Sequence, residues 1–217
     1  MNGAVAGHGA LMDRVYRRQK HIYDLTRKYY LFGRDRLIAG LGARPGASVL
    51  ELGCGTGRNL AEIARIWPGV RLYGLDISRE MLALADAKLE GRAVLAAGDA
   101  TAFDPGALFG ATLGATGFDH VVLSYALSMI PDWQGTIAHA AGLLAPGGRI
   151  HIVDFGDLAD LPRPMSGLLR GWLRLFHVTP RDDMSVFAAR IATRHGLAFA
   201  KTHGPLRYYQ LITLSRA

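Results

Sequence analysis

The chain has almost no cysteine. Cys54 is the only one in 217 residues, so no internal disulfide can form and a reducing compartment is expected. A domain of this length, half of it apolar, can bury a core without such staples. Long apolar runs are missing too: no stretch reaches the roughly 18 residues that a membrane span needs. The first ten residues are rich in Gly and Ala. They lack a basic start ahead of an apolar core, so they read as a disordered tail and not as a secretory signal. The eight histidines are scattered, and no His, Cys or Asp spacing matches a metal site. Acid is scarce relative to base: 18 Asp and Glu stand against 25 Lys and Arg, a net charge of +7. Such a surface favours an anionic membrane or a nucleic acid without choosing between them.

What the chain does have is centred on Val49-Leu50-Glu51-Leu52-Gly53-Cys54-Gly55-Thr56-Gly57-Arg58-Asn59. The apolar run 48–52 reads as a buried strand, and a helix is expected over 58–66. Between them, three glycines in five residues allow positive φ and let a ligand lie on bare backbone. The helix then aims its first amides at whatever sits on the turn. Dinucleotide sites space their glycines G-x-G-x-x-G, and Arg58 occupies the third position of that pattern. A phosphate-binding P-loop ends in Lys-Ser/Thr, which is absent. A second apolar strand, 70–76, ends in Asp76, nineteen residues after Gly57. A carboxylate there can accept both hydroxyls of a ribose. A third strand, 92–97, leads to Gly98-Asp99-Ala100.

The remainder alternates in the same way. Residues 11–41 read as helix, with Val15, Ile22, Leu25 and Phe32 among basic residues and half of the eight tyrosines crowded into residues 16–30. The alternatives are a lid over a cleft and an amphipathic helix packed on the core. Ser78 is placed to cap a helix over 79–89, with Glu80 early in its first turn. Residues 101–117 read as loop with a Gly/Ala-rich insert from Leu108 to Gly117 and a turn of helix at most. A fourth strand is expected at 118–124, a helix at 132–144, a turn at Ala145–Arg149, and a fifth strand at 150–156. Residues 163–176 form a basic amphipathic helix. It carries Leu168, Leu169, Trp172, Leu173, Leu175 and Phe176 on one side, with Arg163, Arg170 and Arg174 off it. That pattern suits a membrane interface, through Trp172, or a lid packed on the sheet edge. A helix at 183–194 and strands at 198–202 and 208–214 finish the chain. Strands alternating with helices predict a parallel sheet with right-handed crossovers.

The pattern E-x-G-x-G-x-G, from Glu51 to Gly57, resembles motif I of the class I S-adenosylmethionine (SAM) methyltransferases. The resemblance implies a single α/β, Rossmann-like domain over 42–217. It implies seven strands with the last antiparallel, a helical lid over 11–41, and a basic amphipathic insert at about 157–182. It implies SAM as cofactor, with S-adenosylhomocysteine as product and no metal. Cofactor contacts are then expected from Tyr23, Glu51, Gly53, Cys54, Gly55, Asn59, Asp76, Ile77, Met81, Gly98, Asp99, Ala100 and Ser124. Asp99 corresponds to the acid that meets the adenine amino group. Cys54 otherwise reads as a small residue that fits the turn. The tip of the fourth strand, Ser124 to Pro131, faces the transferred methyl in this family. It lacks the Asn/Asp/Ser-Pro-Pro-aromatic tetrapeptide of base amino methyltransferases, and Cys54 is misplaced for a cytosine C5 nucleophile. Nucleic acid is therefore disfavoured as substrate.

Further pieces narrow the resemblance. Arg-Asp-Arg-Leu-Ile (34–38), Asp154-Phe155-Gly156-Asp157 and His177-Val178-Thr179-Pro180-Arg181 resemble the bacterial betaine-lipid N-methyltransferases. Those enzymes trimethylate the homoserine amine of diacylglycerylhomoserine. The resemblance implies a lipid substrate with an amino-acid head group, an anionic membrane surface as partner, and a cytoplasmic, peripherally membrane-associated protein. Asp154, Tyr125 and His177 are candidates to take the amine proton. Tyr29 and Tyr30 are candidates to face the growing cation. Arg27 or Arg181 is a candidate for the head-group carboxylate. The alternatives are a phosphatidylethanolamine N-methyltransferase, a methyltransferase of a soluble small molecule, and a non-catalytic SAM-binding protein. Oligomeric state is not legible.

Overall fold

The computed structural model describes residues 31–110, 117–175 and 178–216. Seven strands form one sheet in the order β3-β2-β1-β4-β5-β7-β6. They are β1 (Ser48–Leu52), β2 (Arg71–Asp76), β3 (Ala93–Ala97), β4 (Phe118–Ser124), β5 (Leu144–Phe155), β6 (Leu197–His203) and β7 (Tyr209–Arg216). All pairs are parallel except those of β7, which runs antiparallel to β5 and to β6. The helices are α1 (Arg34–Ala39), α2 (Arg58–Ile66), α3 (Arg79–Leu89), α4 (Pro105–Phe109), α5 (Trp133–Gly142), α6 (Arg163–Arg174) and α7 (Met184–His195). The expected α/β architecture and its antiparallel last strand are both present.

Strand alternation assigns side chains to the two faces. Leu50, Leu52, Val121, Leu123, Ile150 and Ile152 join Ile137 and Ala140 of α5 and Ala188 and Ile191 of α7 in one cluster. Val49, Val122 and Val153 point the other way. They meet Leu37 and Ile38 of α1, Leu60 and Ile63 of α2, and Ala85 and Leu89 of α3. All five residues of β1 are buried because both of its faces are covered. Strand order reverses between β1 and β4, and such a switch point opens a crevice at the carboxyl ends of those strands. Ser78 caps α3 as expected, accepting from the Met81 amide at 3.3 Å.

Two expectations are corrected. The turn at 145–149 lies inside β5, not before it. Leu144 already pairs with Phe118, and Arg149 next pairs with His120, so the glycine run bulges from a continuous strand. Gly148 permits this, since a Cβ there would lie 2.8 Å from the Phe118 carbonyl oxygen. The second correction concerns α6. Leu173 is fully buried, and Leu169 and Trp172 pack against the same core cluster. Trp172 therefore does not lead the outer face, which consists of Met165 and Leu168, with Leu175 just past the last turn. The expectations for residues 1–10, for most of helix 11–41, for most of the insert over 108–117, and for Phe176 and His177 fall outside the described residues.

Candidate functional site

The glycine turn is tied to β2 at its start. The amides of Gly53 and Cys54 both donate to the Leu75 carbonyl, at 2.8 and 3.0 Å. The three glycines then do different things. At Gly53 (φ 74°) a Cβ would lie 2.9 Å from the Ala126 Cβ, and at Gly57 (φ 71°) it would lie 3.0 Å from Ala85 and Leu89. Those two allow close packing. Gly55 (φ 53°) has nothing within 4 Å of where its Cβ would be, so its bare backbone borders open space. Asp76 braces this peptide: one carboxylate oxygen accepts from the Gly55 amide at 2.7 Å and the other from the Ser78 amide at 2.9 Å.

Glu51 lies behind the turn at 1% exposure. Oε1 accepts from Asn59 Nδ2 at 2.7 Å, which joins β1 to the first turn of α2. Oε2 is buried with no partner. Burial pushes the Glu51 carboxyl up to about 8, against the opposing pull of the Asn59 hydrogen bond and the Arg34 and Arg58 charges. Register pairs Leu52 with Leu123, so Ser124 falls on the same sheet face as Glu51, and its Oγ is also buried without a partner. An unsatisfied carboxyl oxygen and an unsatisfied hydroxyl beside an open glycine cradle are what a zwitterionic amino-acid group can satisfy. The residues present thus fit the methionine end of SAM.

The adenine side is apolar with one acid. Met81, Ile77, Leu84 and Met129 form a small cluster that joins the start of α3 to the β4 tip. Asp99 closes a turn by accepting from the Thr101 amide (2.9 Å) and hydroxyl (2.7 Å) on one oxygen. Gly98 packs on Leu75, and Ala100 packs on the core. Cys54 is buried, with its thiol pushed well up by burial and by the nearby Asp76 and Glu51 charges. It is a packing residue and not a thiolate.

The β4 tip is held from several sides. Tyr125 takes a left-handed backbone, φ 54°, rare for an aromatic residue. Its hydroxyl, pushed far up by burial, donates to the Phe32 carbonyl at 2.5 Å and so fastens the backbone just ahead of α1 to the tip. Its ring meets Phe155 edge-on at 4.8 Å. Asp154 has no exposed surface. Its oxygens accept from the amides of Ser128 (3.1 Å) and Phe155 (2.8 Å). Burial raises its carboxyl to about 6, and hydrogen bonds and Arg181 counter that shift. Arg181 donates to the carbonyls of Leu127 (3.4 Å) and Ile130 (3.2 Å), and the Thr179 amide donates to Ser128. The structure thus gathers Asp154, Tyr125 and Arg181 around one loop. Ser128 and Thr179 share in that arrangement, and neither carries a spacing signal in the sequence. Tyr23, Arg27, Tyr29, Tyr30 and His177 lie outside the described residues. Among the described residues no group of acids, histidines and cysteine is placed to hold a metal ion.

Comparison with known proteins agrees with this geometry. A family model described as a methyltransferase domain matches residues 50–150. The chain is 33% identical over 150 residues to a demethylmenaquinone methyltransferase of Beutenbergia cavernae, covering 67% of this chain and 56% of that protein. It is 32% identical over 162 residues to the nocamycin O-methyltransferase of Saccharothrix syringae, covering 73% and 53%. The chain thus spans just over half the length of these curated relatives. Among solved structures, a Haemonchus contortus phosphoethanolamine N-methyltransferase bound to phosphomonomethylethanolamine and S-adenosylhomocysteine superposes with a TM-score of 0.71 at 14% identity. That match covers 96% of this chain and 60% of the other.

Proposed function

We propose that the chain, whose residues 50–150 match a methyltransferase-domain model and whose fold is that of SAM-dependent methyltransferases, methylates the amine of a lipid-borne amino-acid head group, the homoserine amine of diacylglycerylhomoserine. The observation that carries the narrower reading is the corner built by Asp154-Phe155-Gly156-Asp157, the piece that resembles betaine-lipid enzymes. Asp154 holds the β4 tip loop. The Gly156 amide donates to the Tyr208 carbonyl. Asp157 pairs with Arg207, and its carbonyl accepts from Arg170 of α6. One short run therefore connects the tip loop to the basic helix beside it.

SAM, when bound, supplies an electrophilic methyl on a sulfonium. The chain must present the acceptor as a neutral amine in line with it. Enclosure by the β4 tip lowers an amine pKa by desolvation, and alignment supplies much of the acceleration. Asp154, raised to about 6 by burial, is an acceptor poised near neutrality behind Ser128. His177 is the alternative. The product of three transfers is a fixed cation, for which Tyr29 and Tyr30 are the proposed aromatic partners, worth about 0.5–2 kcal/mol. Arg181 already donates from Nε and Nη2 to the tip loop, so Nη1 is the nitrogen we assign to the head-group carboxylate, with Arg27 as the alternative. Cytoplasmic, peripheral association with the membrane belongs to this proposal. No described helix is long and apolar enough to cross a membrane.

The likeness to a phosphoethanolamine enzyme favours an ethanolamine head group as the second reading. The test offers radiolabelled SAM with a total lipid extract, a soluble metabolite pool and total RNA in parallel. Label in one polar-lipid series of mono-, di- and trimethyl species is the expected result, and hydrolysis of its head group separates homoserine from ethanolamine. Label in a quinone fraction, in the soluble pool or in RNA overturns the amine-lipid reading. SAM binding with label nowhere identifies a binding protein instead.

A further inference from the structure

Eight large apolar side chains stand exposed among the described residues, and five of them gather at one corner of the molecule. Met165 (58%), Leu168 (78%) and Leu175 (72%) lie along α6 and its end. Leu206 (59%) tops the turn between β6 and β7, and Phe32 (55%) precedes α1. Hydrogen bonds bring these three segments together. The Asp157 carbonyl accepts from Arg170 of α6, and the Asp157 carboxylate pairs with Arg207, next to Leu206. Tyr208 then meets Phe32 edge to face at 5.4 Å.

This corner lies at the carboxyl end of β5, the end where the cleft opens. After α6 the chain returns directly to the β4 tip: the Val178 amide donates to Leu173, and the Thr179 amide donates to Ser128. The charge of α6 itself is one-sided. Arg163, Arg170 and Arg174 are the charged residues of α6, which carries no acid. Of the nearby acids, Asp157 is paired with Arg207 and Asp182 with Arg170, and Asp160 lies in the segment leading into the helix.

We infer that this corner is the face that seats the protein on an anionic bilayer. Met165, Leu168, Leu175, Leu206 and Phe32 enter the acyl boundary, and Arg163 and Arg174 reach the phosphates. Five apolar tips from three segments, at the mouth of a cleft and beside Arg163 and Arg174, which form no ion pair among the described residues, match the two requirements of interfacial binding: apolar burial and attraction to anionic lipid. The inference rests on the lipid reading for its purpose, since it lets an acceptor head group reach the cleft while its acyl chains stay in the membrane. It replaces Trp172, which packs inward, with Leu168 and Leu206 as the leading anchors.

The test is flotation of the full chain with vesicles of equal phosphatidylglycerol and phosphatidylcholine, without SAM or acceptor. Strong binding that weakens with salt is expected, with little binding to phosphatidylcholine alone. Loss of one buried leucine is worth about tenfold in partitioning, so Leu168→Glu and Leu206→Glu are each expected to weaken binding at least tenfold. Val186→Glu, on an exposed apolar residue of α7, is expected to leave it unchanged. Both anchor sites are exposed, and unchanged melting temperatures confirm folding. Wild-type binding by both anchor variants overturns the inference. So does a change from dimer to monomer in sedimentation without loss of vesicle binding, which identifies a second copy as the occupant. Vesicle binding with no lipid label refutes the lipid-acceptor reading alone. Lipid label in detergent micelles with no vesicle binding refutes the docking face alone.

Discussion

Glu51 sits where folding and binding make opposite demands. Its carboxyl is raised from 4.5 to about 8 by burial. The folded chain therefore holds a proton that the unfolded chain releases across that window. Folded stability from this group is full below the unfolded value, falls as pH rises from about 4.5 to 8, and is level above, at about 1.4 kcal/mol for each pH unit in the window. Asp154 adds the same sign between 3.8 and about 6. Glu51→Gln keeps the Asn59 contact in neutral form, so the gap in stability between variant and wild type should widen in the variant's favour from pH 5.5 to 8.5. Urea denaturation at three pH values measures this, and parallel curves refute it. The same substitution should abolish the rise in S-adenosylhomocysteine affinity with pH that an ionising Glu51 gives the wild type. At this scale the sequence exposes residues whose partners lie close by, such as Glu51 and Asn59, eight positions apart. It hides Tyr125, whose hydroxyl meets Phe32 across 93 positions. It also hides the depth of Asp154, which no local pattern records.

Among elements, the glycine turn separates packing from binding within three residues. Gly53→Ala meets Ala126 at 2.9 Å in a left-handed backbone, and should cost about 1–3 kcal/mol of stability. Gly55→Ala adds about 1 kcal/mol of backbone strain but no collision, so it should fold. Its methyl enters the open space over the turn, and affinity for S-adenosylhomocysteine should fall at least tenfold by calorimetry. Equal loss of affinity in both variants, at equal stability, contradicts this division. The turn was legible because its glycines, the strand before it and the helix after it are contiguous. The β5 bulge was not, because Leu144 becomes strand only by pairing with Phe118, 26 positions away. Helix α6 was legible as an amphipathic arc. Which part of that arc meets the core was decided by the neighbours of Leu169 and Leu173 and not by spacing.

At the scale of the whole molecule, the cleft belongs to no single element. The glycine turn follows β1, Asp76 ends β2, Asp99 follows β3, and Ser124 ends β4. These are four neighbouring strands of one sheet, so unfolding the sheet dissolves the site, and ligand binding stabilises the entire fold. S-adenosylhomocysteine at a hundred times its dissociation constant should add about 2.7 kcal/mol. For a domain of this size each kcal/mol corresponds to about 2–4 °C, giving a rise of about 5–11 °C in melting temperature. The Tyr125 hydroxyl bond ties Phe32, just ahead of α1, to the same unit, so Tyr125→Phe should open the backbone at Phe32 to proteolysis while retaining most of the thermal response. A melting shift far below the value set by the independently measured affinity means that the four strand ends do not unfold together. The site would then be a local structure on a sheet that survives its loss.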